Sequence, residues 1–175
     1  MRRVVIIGNS GTGKSTLAQR IGQRLGLPVV HMDALFWLPG WVESEIGPFR
    51  KRVAAAHAGE RWVSEGNYTT RTADLRFPQA DTILWLRRPT WLCLLRAMWR
   101  SLTTFGVTRP DMAPGCPEKI DPGFYRWIWD FDRRDAVNFE LLLDEHAAHA
   151  RVRRLDSDAD TRRFLEDLAA VADDH

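Results

Sequence analysis

The chain has 175 residues and a formal net charge of +2, and 45% of its residues are hydrophobic, which suits one globular domain with a single core. So slight a charge does not by itself call for a nucleic-acid partner. No apolar stretch nears the ~20 residues of a membrane-spanning helix. The two cysteines, Cys93 and Cys116, form neither a metal-ligand spacing nor a disulfide framework, so a reduced, cytoplasmic protein is expected.

"RVVIIG" is a β-branched run ending in glycine and predicts a buried strand. A helix follows from Lys14, with Leu17, Ile21 and Leu25 at spacing four and Gly26 as its stop. "PVVHMD" predicts a second strand ending near Asp33. "ALFWLPGW" is broken by the turn signal Pro39-Gly40, and its aromatics read as packing before a stacking surface for a planar substrate. Residues 46–58 predict a helix. "RWVSEG" predicts a third strand ending at Glu65, and "DTILWL" a fourth, followed by Arg87 and Arg88. A helix from about Thr90 carries Leu92, Leu95 and Trp99. "TTFGVTRPDMAPGCPEKIDPG" is a long Gly- and Pro-rich loop, and such loops inside compact domains commonly serve as lids. Asp121-Pro122 opens a helix toward His146. "RVRRL" predicts a fifth strand, and Asp160 is read as the cap of a last helix. Alternating strands and helices imply an α/β fold, a five-stranded parallel sheet between two helical layers. Residues 1–175 read as one domain with a lid at about 99–134.

Ligands of such sheets bind outside the carboxyl ends of the strands. "GNSGTGKS" stands there and matches G-x-x-x-x-G-K-[ST] in full, with the required strand before it and helix after it. Gly8, Asn9, Ser10, Gly11, Thr12, Gly13, Lys14, Ser15 and Thr16 are the expected nucleotide contacts. Backbone N–H groups of the loop and the helix dipole favour phosphate oxygens. Lys14 is expected to reach the β- and γ-phosphates of ATP, and the Ser15 hydroxyl to ligate Mg²⁺. Moving a γ-phosphoryl also needs an acid near the metal. Strand four ends in arginine, so Glu65 is the candidate second holder of Mg²⁺; the plainer reading is a surface glutamate. Asp33 either orients or deprotonates a substrate hydroxyl, or caps the helix that follows. Arg96, Arg100, Arg109, Lys119, Arg126, Arg133 and Arg134 surround the loop segment, where cations closing over a transferring phosphoryl group would stand.

The motif places the chain among P-loop NTPases. No N-K-x-D stretch selects guanine. "GNSGTGKSTLAQRIGQRLGLPVVHMDALFW", "WVSEGNY" and "TRPD…GCPE…D…WIW" together resemble the bacterial DNA topology modulation protein family, over essentially the whole chain. Those proteins are similar in build to adenylate kinase and shikimate kinase. The resemblance implies a nucleotide-kinase-like fold with sheet order 2-3-1-4-5. It places Asp33 where related kinases hold substrate, Glu65-Gly66 where they often have Asp-Gly, and Arg100 and Arg109 among lid arginines. The Phe-Pro-Arg stretch of adenylate kinases is replaced by "GNYTTRTADLRF", where Arg71 or Arg76 would have to substitute. A kinase acting on a nucleotide or other small molecule is therefore expected, as a monomer or homodimer and not at a membrane. An ATP-dependent regulator bound to nucleic acid is the alternative; its extended basic face or reading motif is not found.

Overall fold

A computed structural model of the chain describes residues 1–173. Strand β1 (Arg3–Gly8) leads through the glycine-rich loop into α1 (Lys14–Leu25). After β2 (Val29–His31) come the short helix α2 (Met32–Phe36), a hairpin of β3 (Trp37–Leu38) and β4 (Val42–Glu43), and α3 (Ile46–Ala56). Then follow β5 (Trp62–Glu65), α4 (Thr69–Arg76) and β6 (Thr82–Leu86). Helix α5 (Thr90–Thr103) leads out to the long loop. Helices α6 (Pro122–Phe131) and α7 (Val137–His146) lead back, joined by a π-type stretch over Asp132–Ala136. Strand β7 (Arg151–Leu155) and helix α8 (Asp158–Asp173) complete the fold.

The five long strands pair in the order β2-β5-β1-β6-β7, all parallel. With the hairpin set aside this is the expected order 2-3-1-4-5. The central strand shows why the sheet is covered on both sides. Val4 and Ile6 point into one cluster with Leu17 and Ile21 of α1 and Leu165 of α8. Val5 and Ile7 point into the other, with Phe77, Phe131 and Phe139. Successive side chains of a strand face opposite ways, so a continuous apolar run needs two covering layers. Each such aliphatic side chain contributes roughly 1.5–3 kcal/mol by leaving water.

Four expectations change. Strand β2 ends at His31, because its partner β5 ends at Glu65 in register with it; Asp33 lies in the first turn of α2. Ser157, and not Asp160, caps the last helix. The Asp160 N–H donates to Ser157 Oγ (3.0 Å) and the Ser157 N–H to Asp160 Oδ2 (2.8 Å), a reciprocal capping box. Leu95 and Trp99 of α5 face outward, while Cys93, Ala97 and Ser101 face inward and let α6 approach. Helix α4 was not anticipated, since its buried side is made of Thr69, Thr72, Ala73 and Arg76 and shows no apolar period.

Candidate functional site

The Gly8–Ser15 loop wraps where only glycine fits. Gly8 has φ of 141°, and a Cβ there would sit 2.2 Å from the Leu86 carbonyl oxygen. At Gly11 (φ 82°) it would sit 2.4 Å from that of Cys93. The loop is tied internally through Asn9. Its carbonyl accepts from Thr12 Oγ1 (2.7 Å) and Lys14 Nζ (2.9 Å), and its side-chain oxygen accepts from the Ser10 N–H (2.8 Å). Two outside contacts escaped the sequence reading. Asn67 Oδ1 accepts from the Gly8 N–H (3.0 Å), and Asn9 Nδ2 donates to the Ile128 carbonyl of α6 (2.9 Å). Thr16 is exposed in the first turn of α1. Burial lowers the Lys14 pKa, although Glu65 and Asp33 pull it upward.

The third strand end delivers Glu65 beside this loop. Its Oε1 accepts from Ser15 Oγ (3.1 Å) and meets His31 Nδ1 at 2.8 Å. Glu65 is buried, which rules out the reading as a surface glutamate. Burial would lower the His31 pKa, but the hydrogen bond and charge of Glu65 overcome it and leave the imidazole above its ordinary value. The signal for His31 was its position, one strand over at the same register as Glu65.

Asp33 receives the Tyr68 hydroxyl at 2.6 Å on Oδ1. Burial and the charge of Glu65 raise the Asp33 pKa; the Tyr68 hydrogen bond and the Lys14 charge offset this only in part. Tyr68 has φ of 44°, a strained conformation for a residue with a side chain, and it is the residue that aims this hydroxyl. Arg76 is buried, and its guanidinium is committed to the carbonyls of Gly66 (3.1 Å) and Asn67. It builds the β5–α4 turn and is not free to replace a substrate arginine. Burial lowers its pKa to about 10, against the pull of Glu65. Arg71 lies over the Phe36 ring at 4.9 Å and stays partly open.

Of the basic residues around the loop segment, Arg100 and Arg109 are brought together. Their Nε atoms stand 3.3 and 3.1 Å from Glu118 Oε2, and Arg109 also pairs with Asp111 (2.8 Å). Glu118 is in turn held by Ser101 Oγ (2.9 Å). Both Nε atoms are buried without a hydrogen-bond partner, because the ion-pair geometry does not satisfy them. Burial and the neighbouring Arg109 lower the Arg100 pKa, while Glu118 and Asp111 oppose this. The others are engaged elsewhere. Arg96 pairs with Asp158, Lys119 with Asp121, Arg126 with Asp130 and Arg134 with Asp135; Arg133 is exposed. The loop segment rests on the β3–β4 hairpin. The Gly40 N–H donates to the Gly115 carbonyl (2.8 Å), and Trp41 Nε1 to that of Pro117 (2.9 Å). Trp37 and Trp41 pack on Met112, Ala113 and Cys116, so the aromatics of "FWLPGW" serve packing.

The residues fit a magnesium nucleotide. Ser15 Oγ and Glu65 Oε1 form a pair of hard oxygen donors beside the phosphate loop. Among the described residues, no group of three or more His, Cys, Asp or Glu side chains is placed to hold a metal. Mg²⁺ needs no such cage, since it takes one or two protein oxygens and completes its shell with water and phosphate.

The sheet order and the phosphate loop give a fold shared with solved structures of a shikimate kinase and a gluconokinase. A shikimate kinase from Paramagnetospirillum magneticum is 30% identical over 135 residues. The match takes in 68% of this chain but only 65% of that relative, less than two thirds of its length. No family model matches. Among solved structures, a shikimate kinase from Acinetobacter baumannii superposes with a TM-score of 0.56 at 15% identity, covering 99% of this chain and 94% of that one. A gluconokinase from Sinorhizobium meliloti gives 0.54 at 18% identity with the same coverage. A deoxyadenosine kinase from M. mycoides gives 0.52 at 14%, covering 99% of this chain and 100% of that one. At these identities the likeness is one of fold. No helix among the described residues is long and apolar enough to cross a membrane.

Proposed function

We propose that this chain is an ATP-dependent phosphotransferase, acting in the cytoplasm on a hydroxyl or phosphate oxygen of a nucleotide or other small molecule. The observation that carries it is the meeting of Lys14, the Ser15–Glu65 pair and the Tyr68–Asp33 pair at one edge of the sheet. Mg²⁺ would supply charge neutralisation of the phosphates, held by Ser15 and Glu65. Lys14 leaves the Asn9 carbonyl for the β- and γ-phosphate oxygens. Asp33, held in place by Tyr68, accepts the acceptor's hydroxyl proton as its oxygen bonds to the γ-phosphorus. The bond to the β–γ bridging oxygen breaks and ADP departs. Arg100 and Arg109, whose mutual repulsion is relieved by Glu118 and Asp111, face the charge that spreads over the phosphoryl oxygens.

A DNA-topology role, which the sequence resemblance names, is the weaker reading. Arg100 and Arg109 are paired with Glu118 and Asp111 and are not free to join a basic face. The test is ADP release from Mg-ATP with nucleoside monophosphates, nucleosides, shikimate, gluconate and simple polyols, each with and without duplex DNA. Release that depends on a small acceptor supports the kinase. Release that depends on DNA and on no small molecule overturns it.

A further inference from the structure

One face of α5 has no partner among the described residues. Trp91, Leu95, Met98, Trp99 and Leu102 recur at i, i+4, i+7, i+8 and i+11, the spacing of a single helical stripe, and Phe105 follows just past the helix end. These six side chains are between 41% and 70% exposed. The opposite side of the same helix buries Cys93, Ala97 and Ser101 against α6 and the loop segment. The helix is thus apolar on both sides, with its small residues inward and its large ones outward. A helix whose only partner was its own core would show the reverse arrangement.

We infer that this stripe is the interface with a second copy of the chain, α5 against α5. Three observations favour a copy over other occupants. Covering the six side chains would remove on the order of 800 Å² from each chain, which is about the share that each partner contributes to a stable specific interface. The stripe carries no charge, so it is complementary to itself, as a two-fold contact requires. Its flanking cations are already neutralised within the chain: Arg96 pairs with Asp158 at 2.6 Å and Arg100 with Glu118 at 3.3 Å. A helix built to lie on an anionic lipid surface keeps such cations free along its polar face.

The test is the mass of the full-length chain by sedimentation equilibrium between roughly 1 and 100 µM, a range that brackets weak and firm self-association. The wild type should approach twice the 20.1 kDa of one chain. Trp99→Glu and Leu102→Glu should each weaken association by about 100-fold or more, as central contacts do, with unchanged circular dichroism. Leu95→Gln should weaken it by a smaller factor, and keeps the test open if the glutamate variants do not fold. A wild type that stays at 20.1 kDa throughout, or variants that associate as the wild type does, overturn the inference. So does flotation of a monomeric wild type with phosphatidylglycerol vesicles, which would assign the stripe to lipid.

Discussion

The phosphate loop and the loop segment between α5 and α6 meet at the same strand ends but are held by different forces. The first is a backbone structure. Its glycines touch the Leu86 and Cys93 carbonyls where a methyl would not fit, the Asn67 and Asn9 side-chain oxygens accept from the Gly8 and Ser10 N–H groups, and the Asn9 carbonyl accepts from Thr12 Oγ1. The second is held by side chains, through the buried charges at Glu118 and the packing of Trp37 and Trp41 on Met112, Ala113 and Cys116. Arg100 and Arg109 share Glu118, and the segment leans on a hairpin through few backbone contacts. Backbone packing fixes one arrangement, whereas the Arg100–Glu118–Arg109 cluster is a buried ion-pair network, costly to break unless another anion takes the carboxylate's place. The phosphate loop is therefore set before a ligand arrives. Under the proposed function, phosphate would have to replace Glu118 and Asp111 on the guanidinium groups of Arg100 and Arg109.

The comparison is tested most severely at Lys14. In Lys14→Ala the rigid half keeps its shape and loses its charge, so turnover should fall by about 10³-fold or more. Affinity for Mg-ATP should fall by several-fold, read by titration calorimetry. Magnesium-dependent ATP binding that is unchanged would sink the assignment of the loop.

Next in size is Arg76→Met, which strips donors from the buried Gly66 carbonyl and the half-buried Asn67 carbonyl. It should cost about 3 kcal/mol of stability in chemical denaturation, since the unpaired Gly66 carbonyl stays out of water. A loss below 1 kcal/mol would mean that the β5–α4 turn is held by packing alone.

Arg109→Ala should show the opposite profile. Arg100 and Ser101 still hold Glu118, so stability changes little, while kcat should fall roughly 10- to 100-fold and the ATP affinity by about threefold or less. Equal losses in kcat and affinity would place Arg109 in ground-state binding and remove the lid from catalysis.

The smallest expected effect is Tyr68→Phe. The Tyr68 hydroxyl favours the charged form of Asp33, opposing burial and Glu65. Its removal should raise the Asp33 pKa further. The base would then be lost at a higher pH, and the acid limb of the kcat/KM profile should move upward. A limb that stays in place, or moves to lower pH, would show that Asp33 is not the group that limits activity in acid.

Sequence alone determined the phosphate loop, because its backbone conformation and charge are written locally in the eight residues "GNSGTGKS". It also determined the five strands and their parallel sense, since apolar runs between helical periods leave few other arrangements. The resemblance added their order. Local pattern failed where partners are distant in the chain. Arg76 read as a candidate substrate arginine, and only the fold shows it spent on the carbonyls of its own turn. His31 read as a strand residue until the parallel register set it against Glu65. Asp33 was placed on a strand that ends two residues sooner, because strand ends are set by the neighbour's length and not by the strand's own residues. The grouping of Arg100 and Arg109 around Glu118 was beyond any local reading, since a salt bridge across a loop depends on how the loop closes. Spacing predicted that α5 is a helix carrying Leu92, Leu95 and Trp99, but only the packing of α6 onto Cys93 and Ala97 decided that its tryptophans face outward.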